Sequence, residues 1–272
     1  MNTVLNNLIS LASEGAFGNK GKVIPMSKFK WGILQEIAEY EDIIPFVSKG
    51  MERHGNDNPD TITPYGESYA NVPLKMREKI QDSNFNNSDN LSHGMDISDI
   101  DSLKLTYVLK KYILKDIVDK ERHSIDTSKT SLDFLALIIQ NTDIILRYGI
   151  RLRGIIEIGL FLRNKGQYVD FVKIESWISK LKLKKMAALQ ASVLIKLFDF
   201  EKDEFPYIRK FEGKAISLVT DSMEKVYKMN KRSRSFSKYS IRNCIKFYRY
   251  TRSEALCKAL YITSRSLADI EE

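Results

Sequence analysis

Residues 132–148 (LDFLALIIQNTDIILRY) and 150–162 (IRLRGIIEIGLFL) are apolar nearly all round. A helix that is apolar on every side must be surrounded by other elements, so the chain has to assemble a core around this pair. Gly149 between them suits a left-handed turn closing the first helix. The stretch IIEIGLFL also has the length of a buried strand, an alternative that periodicity alone leaves open.

Elsewhere the signals are helical. Only 13 Gly and 6 Pro punctuate 272 residues, too few for a turn-rich β architecture. In 29–47, Phe29, Ile33, Ile37, Ile43, Ile44, Phe46 and Val47 form a helix-like pattern, and Pro45 suits the first turn of a second helix. From 103 to about 122, Leu105, Val108, Leu109, Tyr112, Ile113 and Val118 recur at three and four, which predicts one buried face, with Asp99 or Asp101 as N-cap. Residues 172–181 and 185–197 predict a helical hairpin, 210–229 a further helix, and 236–267 one or two more. No repeat of constant period is visible. The fold class expected is all-α, a multi-helical globular bundle of about nine or ten helices.

Composition divides the chain at 1–28 (a short amphipathic helix and a Gly/Lys linker), 29–225 (a helical domain) and 226–272 (a basic helical segment). Within the second part, 82–102 turns to Asn, Ser and Asp and reads as a flexible insertion. The N-terminus lacks the basic flank of a secretion signal, and Asn6 and Asn7 interrupt its apolar run. No run of about 18 apolar residues predicts a membrane span, and Cys244 and Cys257 lack metal-ligand spacing. The expected setting is the reducing cytoplasm.

Charge is concentrated. Residues 228–265 hold eleven Lys or Arg and one acid, Glu254, while the whole chain carries +8, so the remainder is close to −2. Lys231, Arg232, Arg234, Lys238, Arg242, Lys246, Arg249 and Arg252 are the candidate binding residues. The last four recur at three or four, as a stripe on one helix would, able to meet phosphates or to serve as a solvated face. A nucleic acid, a phosphate ligand, an acidic protein partner or the anionic surface of a membrane would fit such a field. His54, His93 and His123 sit in or beside loops and are expected to face solvent. Arg153 and Glu157, four apart on the most apolar helix, are expected to pair.

The block SLDFLALIIQNTDIILRYGIRLRGIIEIGLFLRNKGQYVDFVKIESWISKLKLKKMAALQASVLIKLFDF resembles the C-terminal helical part of the bacterial uncharacterised nucleotidyltransferase family related to AbiEii-like toxins. The matching places are Leu152-Arg153, Glu157, Phe161-Leu162, Gly166, Trp177 and the 181–198 segment, with Glu157 where the family pattern has Asp. FKWGILQEIAEYEDIIPFVSKGME, with Trp31 and Pro45, is similar to the family's N-terminal helix pair, and YRYTRSEALCKALY at 248–261 to its C-terminal helix. The resemblance covers about two thirds of the chain.

Such relatives insert a sheet between the helix matching 103–122 and the block from 131, and an Asp-apolar-Asp pair on it holds two metal ions for phosphoryl chemistry. Here the interval is HSIDTSKTS, nine residues, too short for that sheet. The pair Asp99-Ile100-Asp101 is the weak alternative for catalysis, with Mg as its cofactor; helix capping is the plainer role for it. The resemblance therefore implies a non-catalytic interaction or scaffold protein, needing no metal or cofactor, that acts through a partner. Binding of nucleic acid or nucleotide phosphate by the basic segment, and a divergent nucleotidyltransferase, are the alternatives.

Overall fold

The computed structural model describes residues 2–57, 103, 105–123, 128–230 and 236–271. The insertion at 82–102, Asp99, Asp101, His93, Lys231, Arg232 and Arg234 lie outside them. Every regular element among the described residues is helical: α1 Asn2–Phe17, α2 Lys28–Tyr40, α3 Ile44–Asp57, α4 Val108–Arg122, α5 Lys129–Tyr148, α6 Leu152–Lys165, α7 Phe171–Lys180, α8 Lys184–Leu197, α9 Ala215–Asn230, α10 Phe236–Phe247 and α11 Arg252–Glu271. That is all-α, as expected, with eleven α-helices where nine or ten were predicted; IIEIGLFL is helix, not strand. None of the described helices is long and apolar enough to cross a membrane.

The chain forms two compact units: residues 1–92 with 197–199, and residues 93–196 with 200–272. In the first, α1 lies against α3 so closely that backbones touch. A Cβ on Gly15 would sit 1.8 Å from the Phe46 carbonyl oxygen, and one on Gly50 2.0 Å from that of Leu11. Asn7, which looked like an interruption of the apolar run, is fully buried and pins the following linker: its amide donates to the Ile24 carbonyl and accepts from the Ile24 N–H. His54 is correspondingly not a solvent histidine, since its Nδ1 lies 3.4 Å from the buried Glu14 carboxylate.

In the second unit, α5 and α6 form the centre, turning at Gly149 with φ +82°. Phe134 of α5 meets Phe161 (5.5 Å between ring centroids) and Tyr207 (5.7 Å). The last carbonyls of α5 lack intrahelical partners, and α10 supplies them. The Tyr239 hydroxyl donates to Tyr148 O at 3.0 Å, Asn243 Nδ2 to Arg147 O at 3.2 Å, and the Cys244 thiol to Leu146 O at 3.4 Å.

One element occurs twice. The α2–α3 and α7–α8 hairpins share a turn with the same backbone hydrogen bonds. Asp42 N–H donates to Glu39 O and Ile43 N–H to Ala38 O; Lys182 N–H donates to Ser179 O and Leu183 N–H to Ile178 O, all within 2.8–3.1 Å. Both are Schellman closures, with the left-handed residue at φ +55° (Asp42) and +53° (Lys182). Burial repeats too: Leu34, Ile37, Ala38, Ile43 and Val47 answer to Ile174, Trp177, Ile178, Leu183 and Ala187, all buried. The duplication is not visible in the sequence because the copies preserve burial pattern and turn geometry rather than residue identity.

Candidate anion-binding groove

The helix α4 buries only part of the face its periodicity predicted: Leu105, just before it, and Val118 are buried and Ile113 is half-buried. Lys110, Leu114, Ile117, Val118 and Glu121 point inward, while Val108, Leu109 and Tyr112 are exposed. Nor does an aspartate cap it; the helix begins at Val108, after Tyr107. The cause is tertiary. The Glu254 carboxylate, in the first turn of α11, accepts the backbone N–H groups of Thr106 and Tyr107, and so serves as a cap supplied by a distant segment. Lys110 then enters beside it, only 2% exposed, donating to Thr251 Oγ1 at 2.8 Å. Burial pulls the Lys110 ammonium below the usual lysine range; Glu254 opposes that effect, and the nearby Lys182 adds to it.

Three helices of the second unit begin here. Leu109 and Lys110 of α4, Lys184 and Lys185 of α8, and Arg252 and Ser253 of α11 line a groove of about 480 Å³. The hairpin turn adds Lys180 and Lys182, and the α10–α11 connection adds Arg249. Seven cations thus face one groove, and no carboxylate is among its lining residues. Helix N-termini carry partial positive charge, so the peptide dipoles act in the same sense. Arg249 is partly neutralised by Glu212 at 2.9 Å, and Lys184 lies 3.9 Å from Glu175. Lys180, Lys182, Lys185 and Arg252 have no ion-pair partner among the described residues. A neighbouring pocket of about 450 Å³ shares Lys184, Lys185, Arg249 and Tyr250 and is lined further by Ile208, Phe211 and Ala188.

The predicted cationic stripe is divided. Lys238 and Arg242 are exposed on α10, but α10 ends at Phe247 and a turn separates it from α11. Lys246 turns inward to Asp221 at 2.6 Å. Arg249 and Arg252 alone of the described candidates reach the groove. Its other cations come from KLKLKK at 180–185, a run within a hairpin turn that could have been noticed, and from Lys110, for which the sequence held no signal. Arg153 and Glu157 do pair, at 2.6 Å and each about one-third exposed, on α6; neither lines the groove.

Compared with protein-family models, curated proteins and solved structures, the chain matches none.

Proposed function

We propose that this chain is a non-catalytic binding protein, built on a helical scaffold like that of nucleotidyltransferase relatives, that holds a phosphate-bearing partner in the basic groove. The observation that carries this reading is the convergence of seven cations, from three stretches far apart in sequence, on one concavity lined by no carboxylate. Like charges gathered in a concave surface raise the local potential and attract an anion. A solvated face would not need concavity, nor a lysine drawn into the interior beside others.

The test is fluorescence polarisation of a labelled single-stranded oligonucleotide. Binding should weaken steeply with salt, and a combined Lys180→Ala, Lys185→Ala, Arg252→Ala variant should lose at least about tenfold in affinity. Absence of binding at low salt would remove the reading. A protein partner is the second reading, favoured by the exposed Leu256 and Leu260 on successive turns of α11. Metal-dependent nucleotide incorporation abolished by Asp99→Ala would replace both with a divergent enzyme.

A further inference from the structure

The duplicated hairpin supplies an internal control for the groove. Positions 40, 42, 44 and 45 of the first copy hold Tyr40, Asp42, Ile44 and Pro45; the matching positions of the second hold Lys180, Lys182, Lys184 and Lys185. Both copies make the same turn, so the fold itself does not ask for lysine at any of these four places. At the left-handed position it is disfavoured, because Asp and Asn tolerate that conformation better than other side chains with a Cβ. All four lysines face the groove.

Lys110 adds a second, independent observation. Its ammonium carries three donors, and the structure gives it one hydrogen bond, to Thr251. It is buried against a groove edged by Lys182, which repels it; Glu254 attracts it more strongly than Lys182 repels it, and it is the effect of burial that the carboxylate offsets only in part. A dianion in the groove would supply the compensation that the buried ammonium still lacks and take up its remaining donors. Extended monoanionic diesters spread their charge along a track, whereas a terminal phosphomonoester gathers about two charges on one group; here seven cations converge on one concavity where three helices start.

We infer that the groove around Lys110 and Lys182, taken as the site of the binding proposed above, is an anchor for a terminal phosphate: the phosphomonoester group of a phosphorylated ligand, distinguished from a backbone diester. Lys182 and Lys110 are its specificity-determining residues. The group could belong to the 5′ end of a nucleic acid or to a small phosphorylated molecule, and the experiment separates the two.

Affinities are measured for a 5′-phosphorylated oligonucleotide and its 5′-hydroxyl twin, with inorganic phosphate as competitor, on the full chain. The phosphorylated form should bind at least about tenfold tighter, and phosphate should compete with it. Lys182→Asp copies the residue of the first hairpin, so the turn is retained; circular dichroism and thermal unfolding should match or exceed those of the parent, while the preference for the phosphorylated end disappears. Lys110→Met should remove the preference as well. Phosphate competing as strongly as the oligonucleotide assigns a small ligand; much weaker competition assigns the nucleic-acid end. Equal binding of the two oligonucleotides, or an undiminished preference in a folded Lys182→Asp protein, overturns the anchor and leaves the wider groove reading standing. Binding of neither overturns both.

Discussion

Asp42 and Lys182 hold one structural place: each is the left-handed residue that closes a helix and turns the chain into the next, at φ +55° and +53°. For most residues with a Cβ that conformation costs about 1 kcal/mol, while Asn and Asp visit it more readily. Lys182→Asn should therefore stabilise the protein by about 0.5–1 kcal/mol, read as a rise of a few degrees in thermal midpoint. Asp42→Lys should lower it by a similar amount. A fall in stability for Lys182→Asn would mean that the lysine makes a folding contribution its exposed position does not suggest.

The α1–α3 crossing sets a harder limit. At Gly50 an added methyl would lie 2.0 Å from a backbone oxygen, which no rotamer change can relieve. Gly50→Ala should force the helices apart and destabilise by about 3 kcal/mol. Gly32, on the same unit, has open space where a Cβ would stand, with nothing within 4 Å, and Gly32→Ala inside α2 should be neutral or stabilising by up to about 1 kcal/mol. Urea unfolding of the two variants distinguishes crossing geometry from general helix propensity.

How far the sequence could be read follows from which interactions are local. The α5–Gly149–α6 hairpin and the α7–α8 hairpin were legible because apolar period and a turn residue specify them within about 20 residues. The inward face of α4 was legible only in part, at Val118 and Ile113 and not in its first turn. Its periodicity favours Val108, Leu109 and Tyr112, and what reverses it is a carboxylate and a hydroxyl, Glu254 and Thr251, at the start of α11. The groove was half legible: the surplus of cations near the C-terminus pointed to Arg249 and Arg252, whereas their neighbours on the α7–α8 turn meet them only through tertiary packing.

Within the second unit, Lys258 is 2% exposed and ion-paired with Asp143, which also holds Arg147 at 3.0 Å. Removing the acid leaves a buried ammonium without its charge partner, so Asp143→Ala should cost about 3–5 kcal/mol. Lys258→Met removes the charge together with the need for it, and should cost clearly less. Chemical denaturation of both and of the double variant checks the order; equal losses would show that Asp143 acts mainly through Arg147.

Asp221 links α9 to α10 and gives that contact a pH dependence. Burial alone would raise its carboxyl, but hydrogen bonds from Lys225 and Lys246 outweigh burial and hold it below the usual aspartate range. A carboxyl depressed by folding contributes stability above its unfolded value, near pH 4, and that contribution is lost as pH falls through the folded value. Unfolding midpoints should therefore drop below roughly pH 4, and Asp221→Asn should flatten this part of the acid limb. An unchanged limb in the variant would assign the acid sensitivity to other carboxylates.

The two cysteines should differ sharply in reactivity. Cys244 is buried at the α5–α10 contact, with its thiol directed to Leu146 O. Burial pushes its pKa up to about 11, so at pH 8 only about one part in a thousand is the nucleophilic thiolate, even before access is considered. Cys257 is partly exposed on α11. Iodoacetamide at pH 8 should thus modify one thiol in the folded protein and two after denaturation. Cys257→Ser should leave the native protein unlabelled, and rapid labelling of that variant would show that α10 opens from α5 on the timescale of the reaction, contrary to its dense hydrogen bonding there.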